Sequence, residues 1–543
     1  MKLRELCATG TRFHPAKGCL PQTRVKFLEA IMEWANDPEP ASSMNLILFG
    51  QAGTGKSTIA HEVARRFHDM GRLTTSYFFD KQSTFKRESY RFFATLARDL
   101  CSRCPAYKVA LGKSIDNNPD VIYAQDYSTL FDLLLRDPLE NVYFVGPVFI
   151  VIDALDESED VTAGAPYIGN NDTHFHTFLA KRLSELPSNF CILITSRPEP
   201  EILRAFSDLS APSFIHMEMA DPVLSCGVGD DIGTYLHTKL SATTVDEHSL
   251  RELTRKAEHS FQWASVASHY VANPPKGLDF MQCIDRVLQP TDRRIQGLNP
   301  LDTLYTTVLK IFNMEDPDIR DNFRSVMGQI VGACQPLSIA SLNLMNGHAA
   351  TDGSRSNSDG VSVIVSHLGS LLSNVTPSNS IYPIAPLHTS FCDFLTDKSR
   401  SGKFYIDPDN AHRQLAFGTL RTMHQSLRFN ICELETSHRL NSEVVDLSKR
   451  IEKHIPPALS YSCRFWAEHL SMLTAIDVEL FTCLCDFMEE KFMFWLEVLS
   501  VEGEVANATM ALSTLRMWLV KIPDEIPGKV SQIKLFSPQQ EFE

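Results

Sequence analysis

The stretch LILFGQAGTGKST, residues 46–58, determines which fold we expect for the N-terminal half of the chain. An apolar run ends at Phe49, and three glycines follow within six positions, before a lysine and two hydroxyl residues. Residues Gly50–Ser57 match the pattern G-x-x-x-x-G-K-[ST] in full. Glycine lets the backbone approach a phosphate closely, because no Cβ stands in the way. The stretch therefore predicts a phosphate-binding P-loop between a buried strand, Asn45–Phe49, and a helix.

The predicted loop binds a nucleotide through its backbone and through two side chains. Backbone N–H groups that point inward form an anion-binding nest. The helix predicted over Gly55–Met70 directs its positive N-terminus at the same phosphates. Lys56 reaches the β- and γ-phosphates, and the Ser57 hydroxyl is a ligand for Mg²⁺. The residues expected to bind ATP or ADP are Gly50, Gly53, Thr54, Gly55, Lys56, Ser57 and Thr58.

The segments after the loop alternate between β-rich and helix-compatible composition. The predicted strands are Leu73–Phe79, Val148–Ile152, Cys191–Thr195 and Phe214–Met217. The predicted helices between them are Glu88–Cys101, Tyr127–Arg136, Thr173–Glu185 and Pro200–Phe206. This alternation indicates a doubly wound parallel sheet. Ligands of such sheets bind at the carboxyl ends of the strands, so the residues that follow each apolar run are the candidate site residues.

Charged residues follow two of these strands. Asp153 comes directly after VFIVI and is the predicted holder of the Mg²⁺ shell. Asp156 and Glu157 lie just beyond it, at a position suited to orienting or deprotonating an attacking water. Arg197 follows CILIT, where it would pair with the γ-phosphate and so distinguish a triphosphate from a diphosphate. The predicted catalytic residues are therefore Asp156, Glu157 and Arg197.

The P-loop, the acidic loop VFIVIDALDE and the strand end TSRP together resemble a NACHT domain, the nucleotide-switch ATPase of STAND-class signalling proteins. Further phrases are similar to those of the large fungal NACHT group. They are GCLPQTR (Gly18–Arg24), LHTSFCDFLTD (Leu387–Asp397), FYID (Phe404–Asp407) and FWLEVLS (Phe494–Ser500). The similarity covers residues 18–521, nearly the whole chain.

The resemblance implies a fold and a cycle. The fold is an α/β P-loop NTPase core with a parallel five-stranded sheet of the ASCE type. A helical domain, a winged-helix domain and a C-terminal α-helical region follow it. In the cycle, ADP holds a closed monomer, exchange for ATP opens it toward self-association, and slow Mg²⁺-dependent hydrolysis resets it. We therefore expect a cytoplasmic signal-transduction switch, similar to those of innate immunity, whose partners are ATP or ADP, further copies of itself and unidentified proteins.

Five segments are expected along the chain. They are an N-terminal segment (1–40), a NACHT P-loop NTPase domain (41–220), a helical domain (221–315), a winged-helix domain (316–400) and a C-terminal α-helical region (401–543). The predicted winged-helix elements are helices over Arg320–Ala333, Ser338–Met345 and Val361–Leu372, and a wing that pairs Val375–Thr376 with Ile381–Pro383. The third helix has no lysine or arginine, so we expect an interdomain lid rather than a DNA-binding module.

His388 follows the predicted wing, within LHTSFCDFLTD. In the NACHT proteins that this motif resembles, its histidine reaches back to the β-phosphate of bound ADP and latches the closed state. A neutral imidazole can donate one hydrogen bond, and a protonated one adds a charge. The alternative that the sequence leaves open is a buried histidine satisfied by the backbone.

Composition argues against several classes of protein. The 543 residues carry a formal net charge of −15, whereas a non-specific nucleic-acid binder shows a basic face. The longest apolar run, Val142–Ile152, is shorter than the ~20 residues that a membrane span needs. The 13 cysteines show no pairing framework, which favours reduced thiols in the cytosol. We expect no nucleic-acid partner and no membrane span.

Two other functions stay open at this point. A conventional P-loop enzyme would need a cationic lid, as in a kinase, or an arginine finger, as in a ring ATPase. Arg65-Arg66 lies on the predicted P-loop helix, and Arg204 is a weak candidate for a finger. A nucleotide-binding scaffold without turnover is the other alternative. The intact set of phosphate-binding, Mg²⁺-holding and water-orienting residues argues against it.

Overall fold

The computed structural model describes residues 13–37, 45–80, 89–124, 126–140, 142–158, 174–207, 214–243, 245–275, 277–289, 299–346, 359–375, 382–436, 438–474 and 478–520. Contacts divide the chain into two compact units. The first comprises residues 1–274 and 278–304, and the second residues 275–277 and 305–543. Each unit has its own hydrophobic core.

A five-stranded sheet forms the centre of the first unit. Its strands are β1 (Asn45–Phe49), β2 (Leu73–Phe78), β3 (Val148–Asp153), β4 (Phe190–Ser196) and β5 (Phe214–Glu218). They lie in the order β2-β3-β4-β1-β5, and every neighbouring pair is parallel. Each predicted strand is confirmed to within one residue at each end. Because β4 lies between the P-loop strand β1 and the acidic strand β3, the order is that of an ASCE-type P-loop NTPase core.

Both faces of the sheet are covered. Ile47 and Phe49 of β1 belong to one hydrophobic cluster, and Leu46 and Leu48 belong to another. Successive side chains of a strand point to opposite faces, so the two clusters lie on opposite sides of the sheet. The residues of β1, β3 and β4 are all buried. This explains why these strands appear in the sequence as continuous apolar runs rather than as alternating ones.

Helices precede β1, connect the strands of the first unit and continue after β5, and the last of them runs past residue 304 into the sequence of the second unit. They are α1 (Val25–Asn36), α2 (Lys56–Asp69), α3 (Tyr90–Arg103), α4 (Pro105–Asn117), α5 (Tyr127–Phe131), α6 (Phe175–Arg182), α7 (Pro200–Ser207), α8 (Val228–Leu240), α9 (Glu247–Lys256), α10 (Phe261–Ala272), α11 (Phe280–Leu288) and α12 (Pro300–Leu309). The helix predicted over Tyr127–Arg136 continues beyond α5 as a π-helix over Asp132–Arg136. No sequence pattern predicted α1 or α4.

The second unit begins with helices and a short antiparallel strand pair. The helices are α13 (Pro317–Gly332), α14 (Ile339–Met345) and α15 (Asp359–Ser366), and the strands are β6 (Leu337–Ser338) and β7 (Pro383–Ile384). The third predicted helix therefore ends at Ser366, before Gly369, rather than at Leu372. The wing predicted for the winged-helix domain falls partly on residues 376–381, outside the described part of the chain. The described partner of Pro383 is Ser338 of β6. The two strands are too short to show an alternating apolar pattern in the sequence.

Helices continue to the end of the described chain. They are α16 (Thr389–Thr396), α17 (Lys398–Ser401), α18 (Pro408–Ser426), α19 (Leu447–His454), α20 (Pro457–Ser471), α21 (Val478–Glu490), α22 (Phe492–Glu502) and α23 (Ala506–Val520). Trp466 and Trp495 lie edge-to-face at the centre of their core, with ring centroids 5.7 Å apart. Among the described residues, none of the helices combines the length and apolar composition that crossing a bilayer requires.

Candidate nucleotide-binding site

The predicted site residues of the first unit meet at the carboxyl edge of its sheet. The P-loop joins the end of β1 to α2, Asp153 is the last residue of β3, and Arg197 follows the last residue of β4. The backbone N–H of Gly50 donates to the carbonyl of Ser196 at 3.2 Å, so the loop begins directly beside the end of β4. Parallel strands end at one edge, which is why residues as far apart in sequence as Gly50 and Arg197 come together here.

The loop adopts a backbone that requires glycine. Gly53 and Gly55 have φ values of 76° and 95°, in the left-handed region that side chains disfavour. A Cβ on Gly50 would lie 2.6 Å from the Cγ of Met219, and one on Gly53 would lie 2.4 Å from the Cβ of Gln262. Glycine is therefore required at these positions, because the backbone turns through left-handed conformations and neighbouring residues leave no room for a Cβ. The glycines fit the cradle that the motif predicts.

Lys56 is buried inside the loop. Its Nζ donates to the carbonyl oxygens of Gly50 at 2.7 Å and Gln51 at 3.1 Å. Burial lowers its pKa, while the nearby carboxylates of Asp156 and Asp153 raise it. The ammonium thus lies at the hollow of the loop, bonded to neutral carbonyls and attracted by two acidic side chains.

Asp153 is a buried carboxylate, with only 3% of its surface exposed. Burial raises its pKa, and hydrogen bonds from Thr195 and Ser57 oppose that increase. The Thr195 hydroxyl donates to Asp153 Oδ1 and accepts from the backbone N–H of Ala154 at 3.0 Å. Ser57 and Asp153, the two predicted Mg²⁺ ligands, are therefore neighbours. No sequence motif pointed to a role for Thr195, although it precedes Ser196-Arg197 at the end of β4.

Arg197 forms an ion pair with Asp156. Its Nε lies 3.0 Å from Asp156 Oδ2, and its backbone N–H donates to Asp156 Oδ1 at 2.9 Å. A second carboxylate, that of Glu157, lies 3.9 Å from Arg197 Nη2. The three residues predicted to be catalytic are thus in one charged cluster. The Asp156 side chain is 3% exposed and bonds to Arg197 through both oxygens, an arrangement that positions the arginine.

Arg24, the last residue of GCLPQTR, contacts the P-loop from outside. Its Nη2 donates to the carbonyl of Thr54, and its guanidinium carbon lies 4.7 Å from the ring centre of Phe261. Its backbone N–H donates to Asp231 Oδ2 at 2.9 Å. The next loop carbonyl toward the N-terminus, that of Gly53, accepts from the backbone N–H of Gln262 at 3.2 Å. No motif in the sequence pointed to these contacts, since they join segments about 30 and 200 residues from the loop.

His388 lies in the second unit, at the N-cap of α16. Its Nδ1 accepts from the backbone N–H of Ser390 at 3.0 Å and lies 2.7 Å from the hydroxyl of the same residue. The Ser390 hydroxyl in turn lies 2.8 Å from the phenol oxygen of Tyr305. Since Nδ1 accepts, the proton of the neutral ring is on Nε2. The predicted contact of His388 with a nucleotide stays a prediction.

The residues present fit a Mg²⁺-nucleotide. The buried carboxylate of Asp153, the hydroxyl of Ser57 and the buried ammonium of Lys56 lie together at the loop. Phosphates would pair with the ammonium, and a divalent cation would pair with the carboxylate and the hydroxyl. Within the described ranges, no group of three or more His, Cys, Asp or Glu residues could hold a metal ion alone. Mg²⁺ does not need such a cage, because it keeps several waters and binds through one or two protein groups plus phosphate.

Comparisons with known proteins match part of the chain. A family model described as Nephrocystin 3, N-terminal, matches residues 23–197, from the neighbour of Arg24 to Arg197. No curated protein matches the chain. Among solved structures, the Aeropyrum pernix ORC1 protein in complex with DNA is 14% identical, with a TM-score of 0.28, over 69% of this chain and 91% of that chain. That TM-score is too low to bear on this chain. The sheet and loop identify a P-loop NTPase fold, while the NACHT and fungal assignments stay predictions.

Proposed function

We propose that this chain is a nucleotide-controlled signalling switch, an ATP- and ADP-binding NACHT (STAND) NTPase with slow Mg²⁺-dependent hydrolysis and nucleotide-dependent self-association. The observation that supports it most directly is the meeting of the P-loop, Asp153 and the Arg197–Asp156 pair at one edge of a sheet in ASCE order. The NACHT-like motifs in the rest of the chain support the switch. The partners would be ATP or ADP, further copies of the chain and unidentified proteins in the cytoplasm, without nucleic acid.

When the P-loop binds a nucleotide, the ammonium of Lys56 would change its hydrogen-bond acceptors. Its Nζ now bonds to two neutral carbonyl oxygens, and phosphate oxygens would replace them with negative ones. Backbone N–H groups of the loop and the N-terminus of α2 would supply the remaining donors. Ser57 and Asp153 would hold Mg²⁺, which neutralises phosphate charge and orients the nucleotide.

Hydrolysis would depend on the charged cluster after β3 and β4. Glu157 would orient or deprotonate the attacking water, and Asp156 would assist by holding Arg197 in place. Arg197 would sense the γ-phosphate by exchanging a carboxylate oxygen for a phosphate oxygen. Because Asp156 competes for the same guanidinium, this exchange breaks an existing ion pair. That competition fits the slow turnover of a switch.

His388 would report the nucleotide state to the second unit. Its Nε2–H would donate to the β-phosphate of ADP and hold the closed state, as the NACHT resemblance implies. The segments 221–315, 316–400 and 401–543 would then act as helical domain, winged-helix lid and α-helical region. Loss of the latch on exchange for ATP would permit self-association.

A nucleotide-binding scaffold without turnover is the second candidate. It is favoured by the bonding of Asp156 to Arg197 through both oxygens, which removes one candidate base from reaction with water. A conventional P-loop ATPase or kinase has less support. Arg65 and Arg66, the basic pair on α2, bond to Glu62 on the same helix instead of forming a cationic lid.

The nucleotide content of the purified protein tests the proposal. Denaturation would release the bound nucleotide, and chromatography would identify and quantify it. We expect about one ADP per chain, as a latched resting state would retain. A site that is empty on purification but hydrolyses ATP rapidly would contradict the switch and favour a conventional ATPase.

Lys56→Ala provides the matching variant. We expect the affinity for ATP and ADP to fall by about 100-fold or more, since charged hydrogen bonds to phosphate are lost. The fold should be kept, as judged by circular dichroism. Lys108→Ala, which removes an exposed lysine from α4, is the control and should bind normally. Retained ATP affinity in Lys56→Ala would exclude the P-loop from the function.

A further inference from the structure

Arg24 is buried on the P-loop in a way that packing alone does not require. Only 5% of the surface of Arg24 is exposed, yet its side-chain nitrogen Nε has no hydrogen-bond partner among the described residues. The carboxylate of Asp231 accepts from its backbone rather than from its guanidinium. Taking a guanidinium out of water costs free energy unless it is fully bonded. The side-chain bond that Arg24 does make is to Thr54 of the loop.

The backbone of Arg24 is held in a strained conformation that directs the side chain at the loop. Arg24 precedes α1 with a φ of 58°, in the left-handed region that arginine disfavours. The bond from its N–H to Asp231 fixes that conformation. The rings of Phe261 and Phe27 lie 4.7 Å and 5.6 Å from its guanidinium carbon and hold the group between them. Three separate elements therefore position one guanidinium.

The contact sets the direction of one loop peptide. A trans peptide is planar, so its C=O and its N–H point in opposite directions, and the chain has no cis peptide among its described residues. Because Arg24 holds the carbonyl of Thr54, the N–H of Gly55 points away from Arg24. The neighbouring peptide obeys the same rule. Gln262 holds the carbonyl of Gly53, and the N–H of Thr54 points into the loop, toward the carbonyl of Gln51 at 3.4 Å.

We propose that Arg24 is a positioning residue of the P-loop, which clamps the Thr54–Gly55 peptide so that its N–H faces the bound phosphates. This inference rests on the proposed nucleotide site. The segment GCLPQTR would then increase the affinity for phosphates indirectly, because its last residue, Arg24, orients the backbone of the loop. Loops that bind anions through N–H groups depend on those groups converging before the ligand arrives. Without the clamp, the peptide would rotate more freely, and ordering it would oppose binding.

The test compares ligands that share phosphates but differ in the rest of the molecule. ADP and inorganic pyrophosphate are titrated calorimetrically into Arg24→Ala, at fixed Mg²⁺ and salt. We expect both affinities to fall about tenfold, the size of one charge-assisted contact. The melting temperature of the ligand-free protein should change little, because the backbone bond to Asp231 remains. Arg24→Lys should recover part of the loss, and Lys26→Ala, which removes an exposed cation from the first turn of α1, should bind like the wild type.

Three results would overturn the inference. One is an Arg24→Ala affinity for pyrophosphate within twofold of the wild type. Another is a loss confined to ADP, which would mean that Arg24 contacts the nucleoside. A third is equal losses of ligand-free stability in Arg24→Ala and Arg24→Lys without a loss of affinity, which would make the role structural.

A second variant covers the case in which Arg24→Ala does not fold. Phe261→Leu removes the ring under the guanidinium but keeps an apolar side chain. We expect a severalfold loss of pyrophosphate affinity in this variant, and an unchanged affinity would overturn the inference. Lys56→Ala separates the two proposals. If the wild type binds both ligands and only Lys56→Ala loses them, the nucleotide site stands and the clamp fails, whereas a wild type that binds neither ligand contradicts both.

Discussion

Asp153 shows at the scale of one residue how the site holds a buried charge. Its carboxylate lies at the end of β3, where burial raises its pKa and donors from two other segments, Thr195 and Ser57, oppose that increase. Thr195 also accepts the N–H of Ala154, a residue in the left-handed region with a φ of 56°. One hydroxyl therefore satisfies a carboxylate and a strained backbone at once. Its loss would leave two polar groups without that partner.

Thr195→Val tests this double role, because valine keeps the shape and removes the hydroxyl. We expect the free energy of unfolding to fall by about 1–3 kcal/mol, the cost of leaving buried polar groups unpaired. Losing a donor would also raise the pKa of Asp153 further, so Mg²⁺-dependent nucleotide binding should weaken. Urea unfolding and calorimetric titration would measure the two effects.

Thr254→Val is the matched control. The Thr254 hydroxyl bonds only to the carbonyl of Leu250, in its own helix, among the hydrogen bonds described for it. Its removal should have a small effect on stability and none on nucleotide binding. A Thr195→Val protein as stable as that control would contradict the role assigned to Thr195.

At the scale of elements, the P-loop is packed between α1 and α10. Arg24 at the start of α1 bonds to Thr54, and Gln262 in the first turn of α10 bonds to Gly53. The sequence predicted a helix after the loop but gave no indication that other helices contact its outer side. The periodicity of apolar residues indicates which face of a helix is buried. A contact between backbone atoms of a helix and a loop produces no such pattern in the sequence. The contacts of α10 are therefore a tertiary feature.

Gly53→Ala and Gly112→Ala should have opposite effects on stability. A Cβ at Gly53 would lie 2.4 Å from Gln262 Cβ and would occupy a φ of 76°, so we expect a loss of at least ~1 kcal/mol. Gly112 lies within α4, where an added Cβ would meet no atom of another segment within 4 Å, so alanine should stabilise by about 0.5–1 kcal/mol. Thermal and urea unfolding would measure both.

The same pair tests the packing of α10 on the loop. Gly53→Ala should also weaken ADP binding, because the loop must shift away from α10, whereas Gly112→Ala should bind ADP normally. An unchanged stability and affinity in Gly53→Ala would show that the contact with Gln262 relaxes without consequence.

At the scale of the whole molecule, the proposed switch needs communication between the two units. The P-loop belongs to the first unit and His388 to the second. The bond from the Ser390 N–H to Nδ1 places the proton of the neutral His388 ring on Nε2, the nitrogen that the proposed latch would use. Nucleotide exchange is the property through which such a latch would act.

His388→Ala should accelerate the release of ADP. One hydrogen bond to a phosphate is worth about 1.5–3 kcal/mol, so we expect the off-rate to rise about tenfold or more. Stopped-flow displacement of a fluorescent ADP analogue would measure it. His438→Ala, which removes an exposed histidine, should release ADP at the wild-type rate. An unchanged off-rate in a well-folded His388→Ala protein would contradict the latch.

The sequence by itself determined the sheet, the P-loop and the chemistry expected around it. Apolar runs, glycines and a lysine at fixed spacing are local signals, and the carboxyl-end rule then placed Asp153 and Arg197 at one edge. The tertiary structure alone decided how those residues are bonded. The pairing of Arg197 with Asp156, the hydrogen bond from Thr195 to Asp153 and the clamp of Arg24 on Thr54 join residues 30 to 42 positions apart. Contacts of that separation arise from packing, which no local pattern encodes.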